Sequence, residues 1–297
     1  MATVYNQQSS NIHRTWFLFS GFLIVVISIG WVFSQIYGNP GILYFAAIFS
    51  IASSIFSYWY SDKLALSMAK AVRVEKKDNP ELYRVVENLS ITAGLPMPRV
   101  YIAPGKQINA FATGRDPKHA AIAVTEGALE RLNKTELEGV LAHELSHVGN
   151  RDILVSTMAV VLAGIVSMLS DIFMRSMFWG GMRNRGSDSK GNSALMLIGI
   201  VLSILAPIGV MLIQFAISRK RESLADASGI LLTRYPDGLI SALRKIGADS
   251  MPLATAKNST AHLWLDNPFK GNSVSWWQKM FMTHPPIEER IKALQGM

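Results

Sequence analysis

Hydrophobic and polar positions divide the chain into alternating apolar and mixed blocks. Between residues 15 and 61 there is no Asp, Glu, Lys or Arg, a pattern that membrane segments require and soluble domains do not sustain. Two apolar runs, 15–37 and 42–60, are separated by the turn residues Asn39, Pro40 and Gly41. Some 20 helical residues rising ~1.5 Å each cross a hydrocarbon core of ~30 Å, so each run predicts a spanning helix. Trp16, Trp31, Tyr58, Trp59 and Tyr60 stand near the ends of the runs, where aromatic rings anchor a helix at headgroup level. A cleaved signal peptide has an apolar core of about 7–15 residues and a small-residue cleavage site. The first run is longer and no such site follows it, so the expectation is an uncleaved helical hairpin.

The block 62–152 is mixed. Leu82, Val85, Val86, Leu89 and Ile91 recur at helical spacing and Gly94 follows, which predicts a helix over 80–94. Residues 100–103, 110–113 and 120–125 read as short strands, with a turn at Pro104 and Gly105. Residues 126–132 read as helix. Thr135 and Glu138 are spaced as a capping box for a further helix, predicted to begin near Glu136.

Two more apolar runs follow, 153–170 and 194–217, the second interrupted by Pro207. The first makes about 27 Å of helix, close to the minimum for a span. The connector between them carries Arg175, Arg183, Arg185 and Lys190 against Asp188, which is wrong for an outward-facing loop. A second spanning hairpin and a pair of segments that dip into the bilayer or pack on protein both stay open, with the hairpin preferred. The predicted fold is α+β and mainly helical. It has four membrane helices in two hairpins (1–61 and 153–217) and a catalytic unit assembled from 62–152 and 218–297.

Composition sharpens this reading. The chain has 29 basic and 21 acidic residues, a net charge of +8, with 49% hydrophobic residues. Arg14 precedes the first hairpin and Lys63, Lys70, Arg73, Lys76 and Lys77 follow it, which places both ends on the cytoplasmic side. The basic excess is thereby accounted for at a membrane flank, and no nucleic-acid-binding motif accompanies it. The chain has no cysteine, so disulfides and thiolate metal sites are excluded. Any metal must be held by His, Asp or Glu.

Five residues supply that chemistry in one stretch: His143-Glu144-Leu145-Ser146-His147. On a helix, positions i and i+4 project from one face, so both imidazoles can reach one Zn²⁺ at ~2.0–2.1 Å. Glu144 lies one step round, placed to take a proton from an attacking water. Catalytic zinc takes a third protein ligand and keeps a position open. The candidate is Glu222, with Asp226 one turn on to accept the second N–H of an imidazole, preferably that of His143. Taken alone, that pair is an ordinary charged helix face. It becomes a ligand set because the second apolar hairpin begins just after His147 and ends just before Glu222. A hairpin returns its ends to one side, so the two motifs meet at the membrane surface.

Other readings compete. A metal-binding or scaffold protein without peptidase activity has no need of a base at Glu144. A zinc transporter needs ionisable residues in mid-membrane, which the apolar runs lack.

His143–His147, the block from Ser218 to Asp226, Thr283-His284-Pro285-Pro286 and the run Asn109-Ala110-Phe111-Ala112-Thr113-Gly114 together resemble the HtpX-type membrane zinc metalloproteases. These are gluzincins related to the CAAX prenyl proteases. The resemblance extends over nearly the whole chain. It implies a zinc-dependent endopeptidase of the bacterial inner membrane, multi-pass, with its catalytic domain facing the cytoplasm. The implied role is membrane-protein quality control, with polypeptide substrates. His143, His147 and Glu222 would bind one Zn²⁺ per subunit and Glu144 would be the catalytic base. Residues 109–114 are either a substrate-pairing edge strand or a core strand, and His284 is either an oxyanion donor or a loop residue.

Overall fold

The computed structural model describes residues 4–159, 161–162, 165, 219–256, 260, 263–269 and 285–296. Most of the expected second hairpin, including the basic connector, lies outside them, as do His262 and His284.

Helices α1 (Val4–Tyr37) and α2 (Gly41–Met68) form a hairpin. Among the described residues they are the two helices long and apolar enough to cross a membrane, over Asn11–Trp31 and Gly41–Met68. Large apolar side chains point outward from both, among them Ile24, Phe45 and Ile48, each about two-thirds exposed, as suits a surface whose solvent is lipid. A Cβ built on Gly30 would stand 2.3 Å from the Ala46 Cβ, so a bare backbone at this position lets the two helices approach. Both helices overrun the apolar runs because their polar ends dock on the mixed unit. Asp62 of α2 pairs with Arg99, and Ala65 and Leu66 join the core around Phe111 and Trp264. At the start of α1, the Asn11 amide donates to the Asn150 carbonyl at 3.1 Å and to Asp152 Oδ1 at 2.7 Å.

The mixed unit holds α3 (Pro80–Ala93), α4 (Glu126–Arg131), α5 (Lys134–Gly149), α6 (Arg219–Thr233), α7 (Pro236–Ala248) and α8 (Ile287–Leu294). Its sheet runs β1-β2-β4-β3 in space: β1 (Val72–Arg73), β2 (Arg99–Ala103), β3 (Ala110–Thr113) and β4 (Ala121–Thr125). β2 and β4 are parallel, and β1 and β3 pair antiparallel at the edges. The register opposes Val100 to Ile122 and Phe111 to Ala123. Alternation then sorts the side chains. Val100, Ala110, Ala112, Ile122 and Val124 pack towards α3 and α5, whereas Ala103, Phe111, Ala121 and Ala123 pack towards α2. With both faces covered, β4 is buried throughout and apolar from Ala121 to Val124, and period-2 patterning is lost from its sequence. The two-residue strand β1 was not among the expected elements.

Helix α5 starts at Lys134, two residues before its expected start, and its cap is not the Thr135/Glu138 pair. Asn133 is the N-cap: its side chain accepts from the Glu136 N–H at 2.9 Å, and Glu136 Oε2 accepts from the Asn133 N–H at 2.8 Å. The tertiary structure favours this box because the Glu136 carboxylate also takes hydrogen bonds from Lys245 and Ser241 on α7. Residues 152–159 are helical, and Val155, Ala159 and Leu162 pack on Leu18, Phe22 and Val26 of α1.

Candidate metal centre

Helix α5 is buried along nearly its whole length, so its polar residues need partners close at hand. His143 is fully buried, and Glu144 is 3% exposed. Helix α6 lies against it through Glu222, Ala225, Asp226 and Gly229, which follow i, i+3, i+4, i+7 spacing on one face. A Cβ on Gly229 would meet the His143 backbone N at 3.1 Å. The missing side chain lets α6 sit on the α5 backbone, close enough for short carboxylate side chains to reach the imidazoles.

The three side chains expected to hold a metal come together. Their ligand atoms all lie within 4.8 Å of one another. The His143 and His147 Nε2 atoms are 3.2 Å apart. Glu222 places Oε2 3.6 Å from His143 Nε2 and Oε1 3.6 Å from His147 Nε2. Donors held ~2.0–2.1 Å from a tetrahedral ion stand ~3.4 Å from one another, so these separations suit such an ion.

The opposite ring nitrogens fix the tautomers. His143 Nδ1 is 2.8 Å from Asp226 Oδ1, and His147 Nδ1 is 3.0 Å from Asp152 Oδ2. With Nδ1–H donated to carboxylates, both Nε2 lone pairs face the same space, and a cation there satisfies them together with Glu222. Protonation records the same need for positive charge. Burial alone would lower the His147 pKa, but the hydrogen bond to Asp152 and the charges of Glu222, Asp152 and Glu144 raise it to about 9. A bound cation takes the place of that proton. Burial works to raise the Asp226 carboxyl, yet His143 and Arg290 hold it well below the usual carboxylate range.

The arrangement joins Asp226 to His143 as expected and adds two partners that sequence spacing does not reveal. Asp152 follows a break in the chain: α5 ends at Gly149, and Arg151 takes φ 58° before the next helical residues begin. The break turns the Asp152 carboxylate back onto His147. Arg290 arrives from α8 and grips Asp226 with two bonds, Nε to Oδ2 at 3.0 Å and Nη2 to Oδ1 at 2.6 Å. Arg290 is 4% exposed, and such a buried fork matches a carboxylate geometrically. His119, which has no partner pattern in the sequence, pairs with Asp116 away from this cluster.

Residues 109–114 enclose β3, the edge strand beside α5. Asn109 and Thr125 form a hydrogen-bonded pair, so the Ala110 and Ala112 main-chain groups face away from β4. Ala110 O accepts from the Leu265 N–H at 3.0 Å. The Gly114 N–H lies 3.4 Å from Thr157 Oγ1. Ala112 is left between these two contacts.

Comparison with known proteins agrees with this geometry. A protease HtpX homolog of Caldanaerobacter subterraneus subsp. tengcongensis is 45% identical over 299 residues, covering 99% of this chain and 98% of that protein. A protease HtpX homolog of Tropheryma whipplei (strain Twist) is 48% identical over 260 residues, 86% of this chain and 87% of that one. Among solved structures, the crystal structure of S. mikatae Ste24p matches with a TM-score of 0.50 and 21% identity. It covers 90% of this chain and 61% of that one, and the likeness is one of fold. Residues 76–297 match the sequence profile of Peptidase family M48. With that match, a His–His–Glu cluster able to hold a metal ion and two apolar helices of membrane length, the chain belongs to peptidase family M48 as a membrane-associated metalloprotease.

Proposed function

We propose that the chain is a zinc-dependent endopeptidase embedded in the bacterial inner membrane, which cleaves membrane or misfolded proteins at the cytoplasmic surface in a quality-control or stress-response role. The observation that supports it most is the meeting of His143, His147 and Glu222 beside Glu144, on helices reached from either side of the second apolar region. His143, His147 and Glu222 would hold one Zn²⁺. When bound, the ion supplies positive charge that polarises a peptide carbonyl and makes an attacking water more acidic.

The remaining steps belong to the chain's own residues. Glu144 takes the proton from the water as it attacks and hands it to the leaving amine nitrogen as the C–N bond breaks. Asp226 and Asp152 keep the Nδ1–H tautomers of the two imidazoles, and Arg290 holds Asp226 in place. Ala112 of β3 offers an N–H and a C=O for one rung of pairing with an extended substrate, which gives affinity without demanding side chains. Flanking charge supports the orientation: the turn between α1 and α2 carries none, whereas Arg14 and Lys63 flank the hairpin. A second hairpin over 153–217 completes four membrane helices.

Glu144→Gln tests the reading. The variant is expected to retain stoichiometric zinc by elemental analysis and to lose at least about a hundredfold in casein cleavage. Full proteolysis by the metal-loaded variant would remove Glu144 from the mechanism. Glu222→Ala is expected to lower zinc content, and undiminished zinc would exclude it as a ligand. Cleavage by wild type that survives chelation would refute metal dependence altogether.

A further inference from the structure

A groove of about 1020 Å³ runs along the hairpin next to the mixed unit. On α1 its wall is Trp16, Phe19 and Leu23, and on α2 it is Ile51 and Ile55, each set on one helical face. The volume lies at the top of the range for small-molecule sites, ~300–1000 Å³. None of its lining residues belongs to the metal cluster.

The apolar walls end in cations. Arg115, Lys118 and Arg151 line the end that meets the mixed unit. A second pocket of about 450 Å³ opens at the same place, sharing Trp59, Arg115 and Lys118 and adding Lys63. Of the neighbouring acids, Asp62 accepts from Arg99, and Asp116, which also lines the groove, accepts from the His119 N–H at 3.0 Å, sits 2.8 Å from its ring and pairs with Arg115 Nε at 3.6 Å, so three positive side chains there face one acid. The Arg115 guanidinium lies 4.6 Å over the Trp59 ring, at the level of the aromatic belt.

One further observation marks a built site. Ser54 lines the groove at 8% exposure, and its hydroxyl has no partner among the described residues. Ser54 stands one helical turn before Tyr58 on α2.

We propose that this groove binds one anionic phospholipid. The acyl chains lie along α1 and α2, an ester carbonyl accepts from Ser54, and the phosphate rests among Arg115, Lys118 and Arg151. Basic pockets between membrane helices on the cytoplasmic side hold anionic headgroups by this combination of apolar wall and positive rim. A neutral lipid, or an apolar segment of a substrate, would use the walls and ignore the rim.

Native mass spectrometry of the full chain, titrated in detergent with phosphatidylglycerol or with phosphatidylcholine of identical acyl chains, separates these occupants. The expected result is a single phosphatidylglycerol adduct at roughly tenfold lower lipid concentration than for phosphatidylcholine. Arg115→Ala with Lys118→Ala should bring the two lipids level. Lys118→Ala alone, at an exposed position, should narrow the gap if the double variant fails to fold. Equal binding of both lipids by wild type, a preference unchanged in the variants, or displacement of the adduct by inorganic phosphate alone would each overturn the proposal.

Discussion

Two helix pairs in this molecule meet by the same device and serve opposite ends. In the α1–α2 hairpin, Gly30 lets the backbones close up against Ala46, and large apolar side chains then face outward. In the α5–α6 pair, Gly229 lets the backbones close up at His143, and charged side chains then face inward. The first pair has the length and the apolar exterior suited to a solvent without hydrogen bonds, where polar groups cannot be shed to the outside. The second is buried along its shared face, so each charge there needs a specific partner. Close approach is thus neutral as to function. What surrounds the pair decides whether the contact supports an anchor or a reactive centre.

Changes that strand a charge should separate the two regions most sharply. Arg290→Met leaves the Asp226 carboxylate without its fork, and breaking a buried pair from one side costs about 3–5 kcal/mol. A large drop in the thermal midpoint of the detergent-purified protein is expected, with partial recovery in Arg290→Met combined with Asp226→Asn. A midpoint within a degree of wild type would show that Arg290 is not part of the support. In the hairpin the sensitive change is the reverse one, adding a charge. Ile24→Lys on α1 carries an insertion cost of about 2.5–3.5 kcal/mol at the centre of a span, seen as loss from the membrane pellet. Ile24→Leu should leave the protein there. Equal membrane recovery of both variants would argue against a spanning α1.

Gly229→Val tests the close approach itself. Forcing a side chain against the α5 backbone costs about 1–3 kcal/mol, and zinc content should fall with stability because Glu222 and Asp226 ride on the same helix. Stability lost without zinc would confine the role of Gly229 to packing. The smallest effect concerns pH. Burial tends to raise the Asp249 pKa, but the Ile108 and Met251 N–H groups and Arg131 lower it overall. A lowered native pKa contributes stability above the unfolded value of ~3.9 and loses it as pH falls through the native value. Asp249→Asn should cost about 1 kcal/mol at neutral pH and flatten the acid limb of a midpoint-against-pH curve. An acid limb identical to that of wild type would assign the loss to other carboxylates.

Legibility in the sequence tracked how local each interaction is. The pairing of His143 with His147 is set within one helical turn, so spacing alone announces it. Glu222 became readable only through the topology of the apolar runs between the motifs. Asp152 and Arg290 were not readable. One depends on a left-handed residue at Arg151, and the other comes from a helix far along the chain. The start of α5 shows the same limit on a small scale. Asn133/Glu136 and Thr135/Glu138 both fit a capping box, and partners on α7 made the choice.

By itself, the sequence determined that an apolar hairpin precedes a mixed α+β unit, that two imidazoles share a helix face, and that no thiol takes part. These properties depend on composition and on periods of a few residues, which the backbone geometry imposes anywhere. Only the tertiary structure decided which carboxylates orient those imidazoles, which groups cover the edge of β3, and that cations gather at one end of the groove beside α1 and α2. Each of those joins residues distant in the chain, and their distances follow from how whole elements pack, which no local period encodes.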